Sequence, residues 1–178
     1  MGFAVVGYFD NDSDKAIKSL WRGMADSNVC NYLINSENNP HIKFAMYNEL
    51  DIASAEKALY LLSGKIKRIK VHFKSYSFYP SDTPFICIDI AVSLPILEMH
   101  SEIQKNCLEY NNIKDKRGFF EQGIWKSDCQ LTRAFDKSKL PNAIKYLSDT
   151  QLPFDGVLER IGLIEFHPAK QLFSFNLL

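Results

Sequence analysis

The chain has 178 residues, 46% of them apolar, which suits one domain with a normal core and two small lobes at most. Its formal net charge is zero and its pI about 6.9, which argues against a broad grip on duplex DNA or RNA, because that grip needs many uncompensated Lys and Arg on phosphates. The longest apolar run, Phe85 to Val92, contains Asp89 and is too short to span a bilayer, and Cys30, Cys87, Cys107 and Cys129 show neither a CxxC pair nor metal-ligand spacing, so a cytoplasmic protein with reduced thiols, no cysteine metal site and no membrane span is expected.

In chain order, Phe3 to Phe9 reads as a buried strand. Asp12 or Ser13 then caps a helix whose apolar positions Ala16, Ile17, Leu20, Trp21 and Met24 recur at helical spacing. Val29 to Ile34 reads as a short strand and Asn35 to Asn39 as a turn. The next strand is entered through Pro40, with Ile42, Phe44 and Met46 on one face and His41, Lys43 and Ala45 on the other. A second helix covers Ala53 to Leu62, buries Ile52, Ala55, Leu59 and Leu62, and stops at Gly64. Lys67 to Phe73 alternates Ile69, Val71 and Phe73 with Arg68, Lys70, His72 and Lys74. The apolar phase shifts before Tyr76, which predicts a bulge, and Phe85 to Val92 is a further strand.

Leu94-Pro95 opens a third helix with Leu97, Ile103 and Leu108 on its inner face, and Asn111 to Lys116 reads as a polar loop. Trp125 to Phe135 belongs to a strand that begins at Ile124. Lys139 to Leu147 forms a fourth helix with Pro141 in its first turn. Val157 to Phe166 and Gln171 to Leu177 are strands joined at Pro168-Ala169. Helices scattered among antiparallel hairpins give an α+β class.

His41 and Lys43 are the chemistry-bearing pair. Two residues apart on a strand they point the same way, roughly 6.5–7 Å from each other. Such a pair can hold a phosphate while the imidazole moves a proton. The plainer reading of Lys43 is an ion pair with Asp128. The basic series Arg68, Lys70, His72 and Lys74 can track a single strand, or can be the solvated side of an edge strand. Tyr76, Phe78 and Tyr79 suit base stacking or rim packing. Trp125, His100 and Cys129 suit structural roles.

Nearly end to end, the chain resembles the 2H phosphoesterase superfamily, in particular its bacterial 2′-5′ RNA ligase-like members. Pro40-His41-Ile42-Lys43-Phe44-Ala45 is similar to the first His-x-Thr/Ser motif, and Trp125-Lys126-Ser127-Asp128-Cys129-Gln130-Leu131-Thr132 to the second. Ser77-Phe78-Tyr79-Pro80 and the strand Phe85-Ile86-Cys87-Ile88 resemble the middle of such chains, Leu94 to His100 their Leu-x-x-His helix, and Arg160 to Phe166 their closing strand. The resemblance implies one bilobed domain over residues 1–178. Two pseudo-symmetric lobes of antiparallel sheet with flanking helices would enclose a central cleft. Each lobe would supply one His-x-Thr/Ser strand, with one imidazole as base and the other as acid on a 2′,3′-cyclic or 2′-5′ phosphodiester, and no cofactor.

Of the four motif positions only His41 is retained. Lys43 replaces the first hydroxyl. One alignment sets Asp128 at the second histidine and Gln130 at the second hydroxyl; a shift by two sets Gln130 and Thr132 there. The expectation is a cleft with a degenerate second motif. His41 would be the acid or base, Lys43 and Gln130 or Thr132 the phosphate ligands, and a nucleotide or RNA-end phosphate the partner. The alternatives are slow hydrolysis and binding without turnover. Asp128 can replace the lost acid only with a strongly raised pKa, and Lys43 would act against that.

Overall fold

The computed structural model describes residues 2–107, 120–166 and 168–178. Leu108, the loop Asn111 to Lys116 and His167 lie outside the described residues. Among the described residues seven strands are present: β1 (Gly2–Phe9), β2 (His41–Tyr47), β3 (Ile69–Tyr79), β4 (Phe85–Ile90), β5 (Asp128–Gln130), β6 (Phe154–Phe166) and β7 (Lys170–Asn176). The α-helices are α1 (Asn11–Asp26), α2 (Ile52–Ser63), α3 (Leu94–Cys107) and α4 (Leu140–Ser148). The class is α+β, with an antiparallel sheet in the order β1-β2-β5-β4-β3-β6-β7. β6 also pairs with β1 along Leu158 to Phe166, so six strands close into a ring. β6 can do this because it is 13 residues long: on its other edge its first half meets β3 and its second half β7.

One face of the strands and the inner faces of all four helices make the main core, with Phe44, Phe73, Ile17, Leu59, Met99 and Ile103 fully buried. The opposite face carries a smaller cluster of Ala4, Val6, Tyr8 and Ile164, with Met46 and Phe166 against it. Helix α1 starts earlier than its sequence suggests: Asp10 is the cap, accepting from the amides of Asp12 (3.0 Å) and Ser13 (2.9 Å). On α3 the buried positions are Ile96, Met99, His100, Ile103 and Gln104, whereas Leu97 is exposed. On α2, Ile52 is exposed too.

Val29 to Ile34 is not a strand. The Val29 and Cys30 amides turn back to the Met24 carbonyl (2.9 and 3.3 Å), which uses the donors a ladder would need. β5 is three residues long rather than the expected run from Ile124 to Phe135. After Gln130 the amides of Leu131 and Thr132 both go to the Ile86 carbonyl (2.8 and 3.1 Å), so the chain curls away. A 3-10 turn at Lys137–Lys139 precedes α4, whose first turn contains Pro141. The irregularity expected before Tyr76 is present between Phe73 and Ser75. β3 is nevertheless an interior strand, with Arg68 held by Glu159 (3.2 Å) and His72 by Asp155 (2.6 Å).

The alternation assigned to β2 fails after Phe44. Val5 pairs with Ala45 but Val6 pairs with Lys43, so Phe44 is an extra residue and the phase reverses there. Ala45 and Tyr47 therefore join the main core, and Met46 joins His41 and Lys43 on the opposite face. Gln104 of α3 donates to the Phe44 carbonyl (3.0 Å). A Gln104→Leu protein should lose about 1–3 kcal/mol of stability, the usual cost of an unpaired buried polar group. Denaturant unfolding measures it, and an unchanged midpoint would contradict this role.

Candidate functional site

β2 and β5 meet at one ladder pair, Ile42 opposite Cys129. Antiparallel register then sets His41 level with Gln130 and Lys43 level with Asp128. Extended through the neighbouring ladders, one cross-strand row reads Arg160, Tyr8, His41, Gln130, Cys87 and Ser77. The next reads Val6, Lys43, Asp128, Asp89 and Ser75. Both rows rise from the face opposite the helices. A local twofold axis through the Ile42–Cys129 pair exchanges His41 with Asp128 and Lys43 with Gln130.

Two tryptophans hold the strands from behind. Trp125 Nε1 donates to the Lys43 carbonyl (2.8 Å) and Trp21 Nε1 to the Gln130 carbonyl (3.0 Å). Trp125 stacks on Phe44 (5.3 Å) and on His100 (4.3 Å), whose rings also meet each other at 6.5 Å. His100 is buried, with Nε2 3.1 Å from the Phe120 carbonyl. Cys129 is buried in the main core.

In front of the two strands lies a groove of about 410 Å³. His41, Lys43, Gln130 and Arg133 supply its polar wall, and Tyr32, Phe85, Met46 and Phe166 its apolar one. Among the described residues no carboxylate lines it, so Lys43 and Arg133 give it a positive field that suits an anion. Arg133 lies over the Tyr32 ring at 5.2 Å. Both residues sit on irregular segments, where no periodicity marks them in the sequence.

His41 Nδ1 is 2.6 Å from the Asn39 carbonyl. A carbonyl oxygen only accepts, so Nδ1 carries the proton and Nε2 is the lone-pair nitrogen of the neutral ring. Burial lowers the His41 pKa to about 4, helped by the Lys43 ammonium and opposed by the Asn39 carbonyl. The imidazole is therefore neutral at pH 7, which is the form a general base needs.

Lys43 Nζ is 3.4 Å from Gln130 Oε1 and makes no ion pair with Asp128, so the closed Lys43–Asp128 pair considered above does not form. Asp128 lies beside the groove without lining it. Its Oδ2 accepts from the Tyr79 hydroxyl at 2.5 Å. Burial raises its pKa, against the Tyr79 hydrogen bond and the Lys43 and Lys126 charges, which act the other way. The neighbouring Asp89 is paired with Lys126 (2.7 Å) and accepts from Ser75 (2.9 Å). Thr132, a candidate phosphate ligand in the shifted alignment, is fully buried, and its Oγ1 accepts from the Ile86 amide (2.9 Å). It lies outside the groove because the chain has already turned away at Leu131.

Among the described residues no cluster of His, Cys, Asp and Glu is placed to hold a metal ion, and no helix is long and apolar enough to cross a membrane. No family model matches the chain, and no curated protein matches it in sequence. Its fold does match solved structures. TT0787 of Thermus thermophilus superposes with a TM-score of 0.66 at 12% identity, over 99% of this chain and 98% of that one. E. coli LigT in complex with 3′-AMP gives 0.64 at 11% identity, over 98% and 97%. Usb1 of Kluyveromyces marxianus gives 0.53 at 11% identity, over 99% and 96%.

Proposed function

We propose that this chain, whose fold is that of the LigT-like 2H phosphoesterases, binds a nucleotide or RNA-end phosphate in the β2–β5 groove and hydrolyses a 2′,3′-cyclic or 2′-5′ phosphodiester slowly, with His41 as its one general base. The observation that carries the reading is the anchored imidazole. Nδ1 is committed to Asn39, and Nε2 is left as the basic nitrogen in a groove walled by Lys43 and Arg133. E. coli LigT structures hold 3′-AMP and phosphate, which supports a phosphoester as the ligand class.

In this reading Nε2 takes a proton from water as the water oxygen bonds to phosphorus. One P–O bond of the ester breaks, and the freed oxygen takes its proton from solvent. Lys43 and Arg133 offset the charge on the phosphoryl oxygens, and Gln130 donates a hydrogen bond through its amide. Asp128 occupies the place related by the local twofold to His41, but it is set back from the groove and bonded to Tyr79. It is not the acid of the reaction, and the rate is low for that reason. A single retained group of this kind contributes about 10²- to 10⁴-fold. The binding-only reading is favoured by one observation: among the described residues the groove wall carries no second imidazole and no carboxyl.

The pH dependence tests the assignment. Protonation destroys the base, so kcat/KM on adenosine 2′,3′-cyclic phosphate should rise with pH through about 4 and be level above it. Lys43→Gln should move that limb upward, because the ammonium helps to lower the His41 pKa. A limb near 6.5 would contradict the lowering of the His41 pKa by burial, and saturable binding with no product at any pH would contradict catalysis by His41.

A further inference from the structure

A second, smaller cavity of about 170 Å³ lies on the same face as the groove, lined by Tyr8, Asn39, Arg160, Gln171, Phe173 and Ser174 among others. Arg160 is level with Tyr8, and Tyr8 with His41. Two strand spacings separate Arg160 from His41, roughly 10 Å. Tyr8 is the partition: its ring meets His41 edge-on at 6.3 Å and carries the Arg160 guanidinium at 5.0 Å. Its hydroxyl donates to Gln171 Oε1, which fixes the ring.

The cavity is equipped for an anion. Among the described residues no carboxylate lines it and none pairs with Arg160. Arg160 Nη1 reaches Ser174 Oγ only at 3.4 Å. Asn39 accepts from Lys18 through Oδ1 (3.0 Å) and so keeps its amide N–H donors. Gly162 lets β7 and the Tyr8 ring pack closely against β6 beside the cavity. A Cβ there would lie 3.0 Å from both Tyr8 Cε2 and Ser174 Cβ, and 2.5 Å from the Phe173 carbonyl oxygen.

We propose that this cavity is a second phosphate subsite, in which Arg160 holds a further phosphate of the same ligand whose first phosphate lies at His41. The inference rests on the phosphoester reading of the groove. The further phosphate is either the 5′-phosphate of one nucleotide or the internucleotide phosphate of a longer strand, and the chemistry of recognition is the same for both.

Three probes separate the cases: adenosine 2′,3′-cyclic phosphate, its 5′-phosphorylated form, and a dinucleotide that ends in a 2′,3′-cyclic phosphate and lacks a 5′-phosphate. Calorimetric titration should show one or both of the two-phosphate probes binding about tenfold or more tightly than the first, and whichever gains identifies the source. Arg160→Ala should bring the gain below about twofold, and Arg160→Lys should keep part of it. Arg160→Gln retains most of the aliphatic stem and should behave as Arg160→Ala, with thermal melting confirming the fold of each variant. Equal affinity for all three probes, or a gain that survives Arg160→Ala, overturns the subsite alone. Failure of every probe to bind overturns both the subsite and the reading of the groove.

Discussion

His41→Ala should hydrolyse 2′,3′-cyclic nucleotides about 10²- to 10⁴-fold more slowly than the wild-type protein, while its affinity for inorganic phosphate changes far less. The split follows from the geometry. The ring contributes one lone pair at Nε2 and, being neutral, no charge. The attraction for an anion comes from Lys43 and Arg133, which the substitution leaves in place. Steady-state rates and a phosphate titration on the same preparation measure the two quantities. Equal rates for mutant and wild type would remove His41 from the reaction.

The second large effect is a gain. Asp128→His should raise kcat by about 10²-fold or more. The local twofold at Ile42 and Cys129 exchanges positions 41 and 128, so an imidazole at 128 would face the leaving oxygen from the opposite strand. Asp128 cannot do this as it stands, because it accepts from Tyr79 and does not reach the groove. A longer ring extends further than a carboxyl, and unlike an ionised carboxylate it can turn an N–H toward the leaving oxygen. The variant also removes a half-buried carboxyl, so thermal melting should accompany the assay. A folded Asp128→His protein no faster than wild type would mean that position 128 does not face the ester.

The parts of this account that were legible in the sequence are those with a period. The pairing of His41 and Lys43 on one face of β2 follows from alternation, as does the change of phase before Tyr76. The buried sides of α1 and α2 follow mostly from helical spacing. Where the backbone departs from its period the sequence is silent. Nothing in Phe44-Ala45-Met46 announces an extra residue, since all three are apolar and fit either face. The bulge is fixed by tertiary partners, the Val5 and Val6 register and the Gln104 amide. Val29 to Ile34 has strand-like composition, but its first amides are taken by the end of α1.

The site divides the same way. His41, Lys43 and Gln130 sit on the groove wall and come from strands whose parity can be read. Thr132 shares that parity on paper, yet the ladder ends before it, and its hydroxyl accepts from the Ile86 amide of β4. Arg133, Tyr32 and Phe85 are brought to the groove by loops or by strand register over long separations. Lys43 is expected from the sequence to hold the Asp128 pKa down. The ammonium does lower it, but burial is the larger effect and the net direction is upward.

The central claim is that a phosphate sits in front of β2 and β5 with the lone pair of His41 turned toward it. A crystal structure of the protein with 3′-AMP tests this most directly. The account predicts the phosphate in the 41/43/130/133 groove, with an oxygen within about 2.6–3.2 Å of His41 Nε2 and the Lys43 ammonium against it. A nucleotide bound on another face, or a His41 ring turned so that Nδ1 leaves Asn39 and Nε2 points into the protein, would contradict it.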